Sequence, residues 1–303
     1  MPSTDPVLVT GAGGGVGGVG ARVLRELRRH GVPVRALVHH DDDRATALRA
    51  LDGVEVVVGD LTRGADVVAA LDGCRRAYYG MSPSADYLEA TATVAAAGLA
   101  GGRLELLVHM SQMTVSQMTL TSSTESHQQR LHWLSEHVLN WSGLPVVHVR
   151  PTVFMENPLF GVLAVASARR DGTIRLPFGT ARTSPVAARD VAAVVARLLL
   201  DPSPQAGRVY ELTGAASRDM SAIAAEFSAA LGRTVTYVDV PHDEWVEHDL
   251  GPLSLAPHLF DHIATMARLH RENRYDRATD DVTRLLGRPP AGFDGLLEAA
   301  APE

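Results

Sequence analysis

A chain of 303 residues, 46% hydrophobic and 21% charged, can bury a substantial core and has the composition of an ordinary globular protein. Its formal net charge of −7 argues against a nucleic-acid surface, and its single cysteine, Cys74, excludes an internal disulfide. No apolar run of about 18 residues and no basic-then-apolar N-terminus is present, so a cytoplasmic protein without membrane contact is expected. Every basic side chain other than histidine is arginine, which rules out any chemistry that needs a lysine.

The first half alternates short β-branched runs with longer Ala/Leu/Arg segments of helical period, the pattern of repeated βα units and a parallel sheet. Strands are expected at Pro6–Thr10, Pro33–Val38, Val54–Val58, Arg76–Gly80, Leu104–Met110 and Pro145–Val149. Helices are expected between them at Val16–His30, Arg44–Leu51, Ala65–Leu71, Ala85–Ala100 and Glu125–Trp141. With right-handed crossovers these units make a doubly wound sheet, a dinucleotide-binding Rossmann domain over residues 1–150. After Arg150-Pro151 the alternation is lost. Helices at Ala187–Leu200 and Ser221–Leu231 mix with isolated strands near Val209–Leu212 and Thr234–Val238. Residues 151–303 therefore read as a smaller α/β substrate lobe, partly interleaved with the sheet, ending in a surface helix pair from Arg284 to Glu303 that Gly287-Arg288-Pro289-Pro290 interrupts.

The first strand runs into Thr10-Gly11-Ala12-Gly13-Gly14-Gly15-Val16-Gly17-Gly18-Val19-Gly20 and then a helix. Such a turn brings bare backbone amides to a helix N-terminus, where they favour a pyrophosphate, and glycine permits both the tight turn and the close approach. Gly11, Gly14 and Gly17 fit the spacing, and so do Gly14, Gly17 and Gly20 one helical turn later. Thr10 ends the strand beside them. At the end of the second strand an acid would bind ribose hydroxyls and a base a 2′-phosphate. The segment His39-His40-Asp41-Asp42-Asp43-Arg44 contains both. Asp41 lies further along than a ribose-binding acid usually does, while His39 and Arg44 suit a phosphate, so NADP(H) is favoured over NAD(H). The same cluster reads as a solvated loop, not a metal site, because adjacent histidines rarely converge on one ion.

The sequence also resembles the NmrA-like group of atypical short-chain dehydrogenases/reductases. The resemblance rests on Val9-Thr10-Gly11-Ala12, Gly59-Asp60-Leu61, Met110-Ser111, Ser142-Gly143-Leu144, Arg150-Pro151-Thr152-Val153-Phe154-Met155-Glu156-Asn157, Arg189-Asp190-Val191-Ala192 and Tyr210-Glu211-Leu212-Thr213-Gly214, in that order. It implies adenine contacts at Asp60 and Leu61, a nicotinamide-side wall from Met81 and Ser82, and a substrate-side segment from Pro151 to Asn157 that includes Phe154 and Met155. Asp60 and Asn157 are equally suited to capping turns.

In many relatives of that superfamily a serine after the fifth strand and a Tyr with Lys four residues later assist hydride transfer, the lysine lowering the tyrosine pKa. Here Ser111 stands at the serine position, Gln128 at that of the tyrosine and His132 at that of the lysine, so the usual dyad is absent. Ser111 and His132 are the candidate catalytic residues, with Glu136 one turn beyond His132 as its orienter. The chain repeats Ser-Gln-Met-Thr at Ser111–Thr114 and Ser116–Thr119, which makes Ser116 a second candidate serine. Met113 and Met118 suit a flat aromatic substrate. The expected function is an NAD(P)H-dependent oxidoreductase acting on a carbonyl or quinone-type small molecule, a ketoreductase or quinone reductase whose lobe after the sixth strand closes as a lid with Trp245 and His and Met residues lining it. The alternatives are a non-catalytic NADP(H)-binding redox sensor acting through a protein partner, and an NAD(P)-dependent isomerase.

Overall fold

The computed structural model describes residues 5–14, 16–202 and 205–299. Its centre is a seven-stranded parallel sheet: β1 (Val7–Thr10), β2 (Val34–Val38), β3 (Val54–Val58), β4 (Arg76–Tyr79), β5 (Leu106–Met110), β6 (Val146–Pro151) and, after two short lobe strands β7 (Thr173–Leu176) and β8 (Arg182–Thr183), β9 (Val209–Leu212). The order β3-β2-β1-β4-β5-β6-β9 reverses direction between β1 and β4, the switch point beside which doubly wound sheets bind ligands.

Alternate residues of each strand feed opposite layers, as the two-residue pleat requires. Val7 and Val9 face a core shared with α1 (Val19–Arg29), α2 (Asp43–Arg49) and α7 (Ala188–Leu200). Leu8, Leu37, Ala77, Tyr79 and Leu107 face the other side, covered by α3 (Gly64–Leu71), α4 (Tyr87–Gly101) and α5 (His127–Ser142). Burial on both faces explains why the strands read as nearly continuous apolar runs. The helices start where the chemistry directs: Asp42 caps α2 by accepting from Arg44 N and Ala45 N, and Ser126 with Gln129 closes a capping box on α5.

The remaining helices, α6 (Val165–Asp171), α8 (Met220–Leu231), the single turn α9 (His242–Trp245), α10 (Pro257–Arg271), α11 (Asp281–Leu286) and α12 (Asp294–Ala299), belong mostly to a second core. That core gathers Met155, Leu159, Phe160, Ile174, Phe178, Phe227, Trp245, Ile263 and Leu269. It also holds β7 in parallel with β11 (Thr236–Asp239), and β8 pairs antiparallel with β10 (Arg218–Asp219).

Two expectations change. Val209–Leu212 is not isolated but is the seventh strand, pairing His148–Pro151 of β6, and Ala188–Leu200 packs on α1 as part of the sheet's own helical layer. Sequence after residue 150 therefore returns to complete the Rossmann unit. The tail forms a helix pair, α11 and α12, on either side of the Gly287–Pro290 break, with Phe293 and Leu297 buried against the second core and residues 300–303 outside the described ones. Among the described residues no helix is long and apolar enough to cross a membrane.

Candidate active site

A trough runs along the C-terminal ends of β2, β1, β4, β5 and β6. It consists of two chambers, of about 1090 and 930 Å³, which share Gly11, Gly14, Gly80, Met81, Ser82 and Pro83 at their junction. That junction is the glycine turn. Gly11 has φ +67°, and a Cβ there would sit 2.6 Å from the Gly80 carbonyl oxygen. A Cβ on Gly20 would meet Gly11 O at 2.6 Å, so helix α1 can lie on the turn only because this residue is glycine. The two registers open in the sequence are thus both used, the earlier one at Gly11 and Gly14 facing the trough, and Gly20 for packing the helix. Gly17 does not line the trough: its Cβ would strike Ala188 Cβ at 2.7 Å, which makes it a packing residue against α7. Thr10 is likewise below the trough; its hydroxyl donates to Gly80 O at 2.7 Å and accepts from Gly80 N at 3.0 Å, tying β1 to β4 under the turn.

The first chamber is lined by Leu37, His39, His40, Asp42, Arg44, Gly59, Asp60, Leu61 and Thr62. Arg44 reaches over the turn, with Nη1 2.7 Å from where a Gly14 Cβ would be. It is held there by Asp42, through bonds of 2.9 Å from Nε and 2.6 Å from Nη2, and these hold the Asp42 carboxyl below its usual range. Asp42 is therefore spent on the helix cap and on Arg44, and Asp41 turns away to Arg49 at 2.6 Å. No carboxylate takes the position directly after β2, where His39 stands, its ring stacked on His40 with centroids 4.3 Å apart. Asp60 Oδ1 accepts from Thr62 N and Oγ1, both at 2.8 Å, which keeps its carboxyl ionised and caps its own turn while it lines the chamber.

The second chamber brings together Ser111, Met113, His132, Pro151, Phe154 and Asn157 with Tyr78, Met110, Gln112 and the junction residues. Met155 is absent from it; its side chain is buried in the second core. Asn157 caps the helical turn that follows, accepting from Leu159 N at 3.0 Å, and still faces the chamber. Ser116 is exposed and donates to Met113 O at 2.8 Å, so the second Ser-Gln-Met-Thr copy is turned out of the site.

The α5 residues differ from expectation in their partners. Glu136 does not orient His132; it makes a two-pronged pair with Arg150, Nε to Oε1 at 2.9 Å and Nη2 to Oε2 at 2.5 Å. Burial pushes the Glu136 pKa up, but Arg150 outweighs it and the carboxyl is held below its usual range. Ser111 lies beside that carboxylate and helps hold it ionised, without forming a well-aligned hydrogen bond. His132 packs on the Tyr87 ring, centroids 4.3 Å apart, and burial pushes its pKa down to about 3. Its imidazole is therefore neutral near pH 7 and is no charged proton donor. Gln128 Oε1 is taken by Ser84 N at 3.1 Å and His258 Nε2 at 2.7 Å.

Sequence reasoning missed the wall opposite. Helix α10 lays Leu259, His262, Ile263 and Met266 over the second chamber, and Tyr275 follows it. Their i, i+3, i+4, i+7 spacing was a legible signal of one helical face. Trp245, in contrast, is fully buried in the second core and lines neither chamber. Four methionines, Met81, Met110, Met113 and Met266, thus ring one chamber.

The trough suits a dinucleotide on the structure's own terms. A cradle that a Cβ would fill stands at its middle, an arginine at one end, and at the other the buried atoms Ser111 Oγ, Gln112 Nε2 and His132 Nδ1 have no hydrogen-bond partner. Orphaned polar atoms clustered at one place are costly unless a ligand satisfies them.

Fold and trough together define an α/β protein of the Rossmann class, with a trough at its switch point shaped for a dinucleotide. The sequence profile of the NmrA-like family matches residues 3–288, and the chain belongs to that family. It is similar to the NAD(P)H azoreductase of Xenophilus azovorans, 28% identical over 290 residues that span 95% of this chain and 96% of the other. It is also similar to the (4-alkanoyl-5-oxo-2,5-dihydrofuran-3-yl)methyl phosphate reductase of Streptomyces griseus, 29% identical over 301 residues, 98% of this chain and all of the other. Among solved structures, the NADPH-dependent quinone oxidoreductase of Escherichia coli in complex with NADPH superposes with a TM-score of 0.82 at 22% identity, covering 97% of this chain and 99% of that one.

Proposed function

We propose that the protein is an NADP(H)-dependent reductase that delivers hydride to a carbonyl or quinone-type aromatic small molecule without a Tyr/Lys dyad. One observation carries this reading: the glycine turn opens into a chamber where buried, unpartnered polar atoms face a wall of methionine and aromatic side chains. Two reductases similar over nearly the whole chain support it.

Gly11 and Gly14 would receive the pyrophosphate on backbone amides, Asp60 and Leu61 would flank the adenine, and Met81, Ser82 and Pro151 would wall the nicotinamide side. Arg44 and His39 occupy the ribose end; Asp42 and Asp41 are engaged by Arg44 and Arg49, and Asp60 lies 3.7 Å from His39 Nε2, which leaves Arg44 as the charge offered to a 2′-phosphate and favours NADP(H). The bound cofactor supplies the hydride. Ser111 and the neutral His132 donate hydrogen bonds to ligand atoms at that end, while Met113, Phe154 and Asn157 shape the substrate side. Polarisable methionines accommodate flat acceptors of varied outline.

Titration with NADPH and NADH, followed by nicotinamide absorbance against quinones and polycyclic ketones, tests the reading. NADPH-dependent turnover of at least one acceptor is expected. Tight cofactor binding with no oxidation by any acceptor, together with a partner protein whose affinity depends on the cofactor's redox state, would replace the reductase with a sensor.

A further inference from the structure

Helix α10 is fastened to the N-terminal turn of α5. His258 Nε2 meets Gln128 Oε1 at 2.7 Å, Arg274 donates to Glu125 at 2.8 Å, and between them His262 Nδ1 lies 2.8 Å from Ser126 Oγ. Ser126 is only 3% exposed and already serves as the cap of α5, its Oγ accepting from Gln129 N at 3.2 Å and its own N–H donating to Gln129 Oε1 at 2.8 Å. Its hydroxyl proton still needs an acceptor, and among the described residues His262 Nδ1 is the one within bonding distance. Nδ1 therefore holds the lone pair and Nε2 the proton. Nε2 has no partner among the described residues, and His262 lines the second chamber.

We propose that His262 donates a hydrogen bond from Nε2 to the substrate's acceptor oxygen, doing from α10 what Gln128 cannot do from the tyrosine position on α5, and that Ser126 fixes the tautomer that makes this bond. The assignment rests on the reductase reading. Burial pushes His262 down to about 3, so the ring is neutral at physiological pH. A neutral imidazole N–H yields no proton there; it stabilises the negative charge that gathers on the oxygen as hydride reaches the neighbouring carbon, and water supplies the proton that completes the product. In a chamber of methionine and aromatic walls such a donor is worth more than it is in water.

Glutamine and asparagine substitutions separate this role from a purely structural latch, because Gln places its amide nitrogen near the Nε2 position and Asn near Nδ1. His262→Asn is expected to lower kcat about 100-fold and His262→Gln less than about 10-fold, with the Kd of NADPH unchanged in both. A latch would give the reverse order. A larger loss of kcat in Tyr275→Phe than in His262→Asn moves the donor to Tyr275, the other polar side chain on that wall.

Two readouts do not require turnover. Nitrogen-15 chemical shifts of the wild-type histidines are expected to show His262 as the Nε2–H tautomer, and an Nδ1–H tautomer overturns the proposal. Binding of 4-nitrophenolate to the NADP⁺-loaded protein is expected to weaken about 10-fold in His262→Asn and much less in His262→Gln; equal weakening overturns it. These two results stand even if no acceptor is reduced, in which case the reductase reading fails separately.

Discussion

At Ser111 the chemistry depends on a hydroxyl that no protein group claims with good geometry, beside a carboxylate that Arg150 keeps ionised. Ser111→Ala is expected to lower kcat/KM by about 100-fold with NADPH affinity unchanged, the size of losing one preorganised donor. An unchanged kcat/KM would remove Ser111 from the reaction. Arg44 carries the cofactor preference. Arg44→Ala is expected to raise the Kd of NADPH by 10-fold or more, corresponding to about 1.5–3 kcal/mol for a charge-assisted bond, and to leave that of NADH within a few-fold. Fluorescence titration with both nucleotides measures it, and equal losses would assign Arg44 to the loop's own structure. His39 and Arg44 were legible as candidates because residue type and position after β2 suffice. That Asp42 is consumed by the helix cap was not, since a cap depends on where the helix begins.

Among elements, the glycine turn and its helix divide the motif into residues for ligand and residues for packing. Gly11→Ala forces a Cβ against the Gly80 carbonyl at a left-handed φ of +67°, so it is expected to cost about 1–3 kcal/mol and abolish measurable dinucleotide binding. Gly17→Ala meets Ala188 of α7 instead, so its melting temperature falls while cofactor affinity in the surviving folded protein changes little. Calorimetric titration beside thermal denaturation distinguishes them; a loss of affinity at Gly17 matching that at Gly11 would restore the simple three-glycine reading. Spacing alone could not settle the register, because Gly14, Gly17 and Gly20 repeat it. Helix α10 went unseen for a related reason. Its face, Leu259, His262, Ile263 and Met266, is periodic, but Pro257 and the two histidines at 258 and 262 dilute the apolar signal.

The whole molecule stores neutral histidines. His109, His132, His148, His262 and His270 are buried, and burial lowers the pKa of each, to about 3 for His132, His262 and His270. Unfolded, these groups take up protons below about pH 6.5, while folded they stay neutral, so stability is lost as pH falls through that value toward 3. Glu136 adds a later loss, because its folded pKa lies below the unfolded one and its contribution disappears only in acid. The melting temperature is thus expected to fall steadily from pH 7 to pH 5. A flat profile would mean the rings are solvated. His270→Phe, between Phe178 and Tyr275 at 4.1 and 3.8 Å, should make that slope shallower by removing one such proton, about 1.4 kcal/mol per pH unit. The sequence by itself determined the βα alternation, the glycine turn after β1, the family and the absence of any lysine, because these depend on local period, on glycine's backbone freedom and on residue identity at fixed spacing. Tertiary structure alone decided that α7 packs with the sheet and β9 pairs with β6, that Arg150 takes Glu136 away from His132, and that α10 brings His262 over the chamber. Those facts depend on contacts between segments far apart in the chain, which no local pattern encodes.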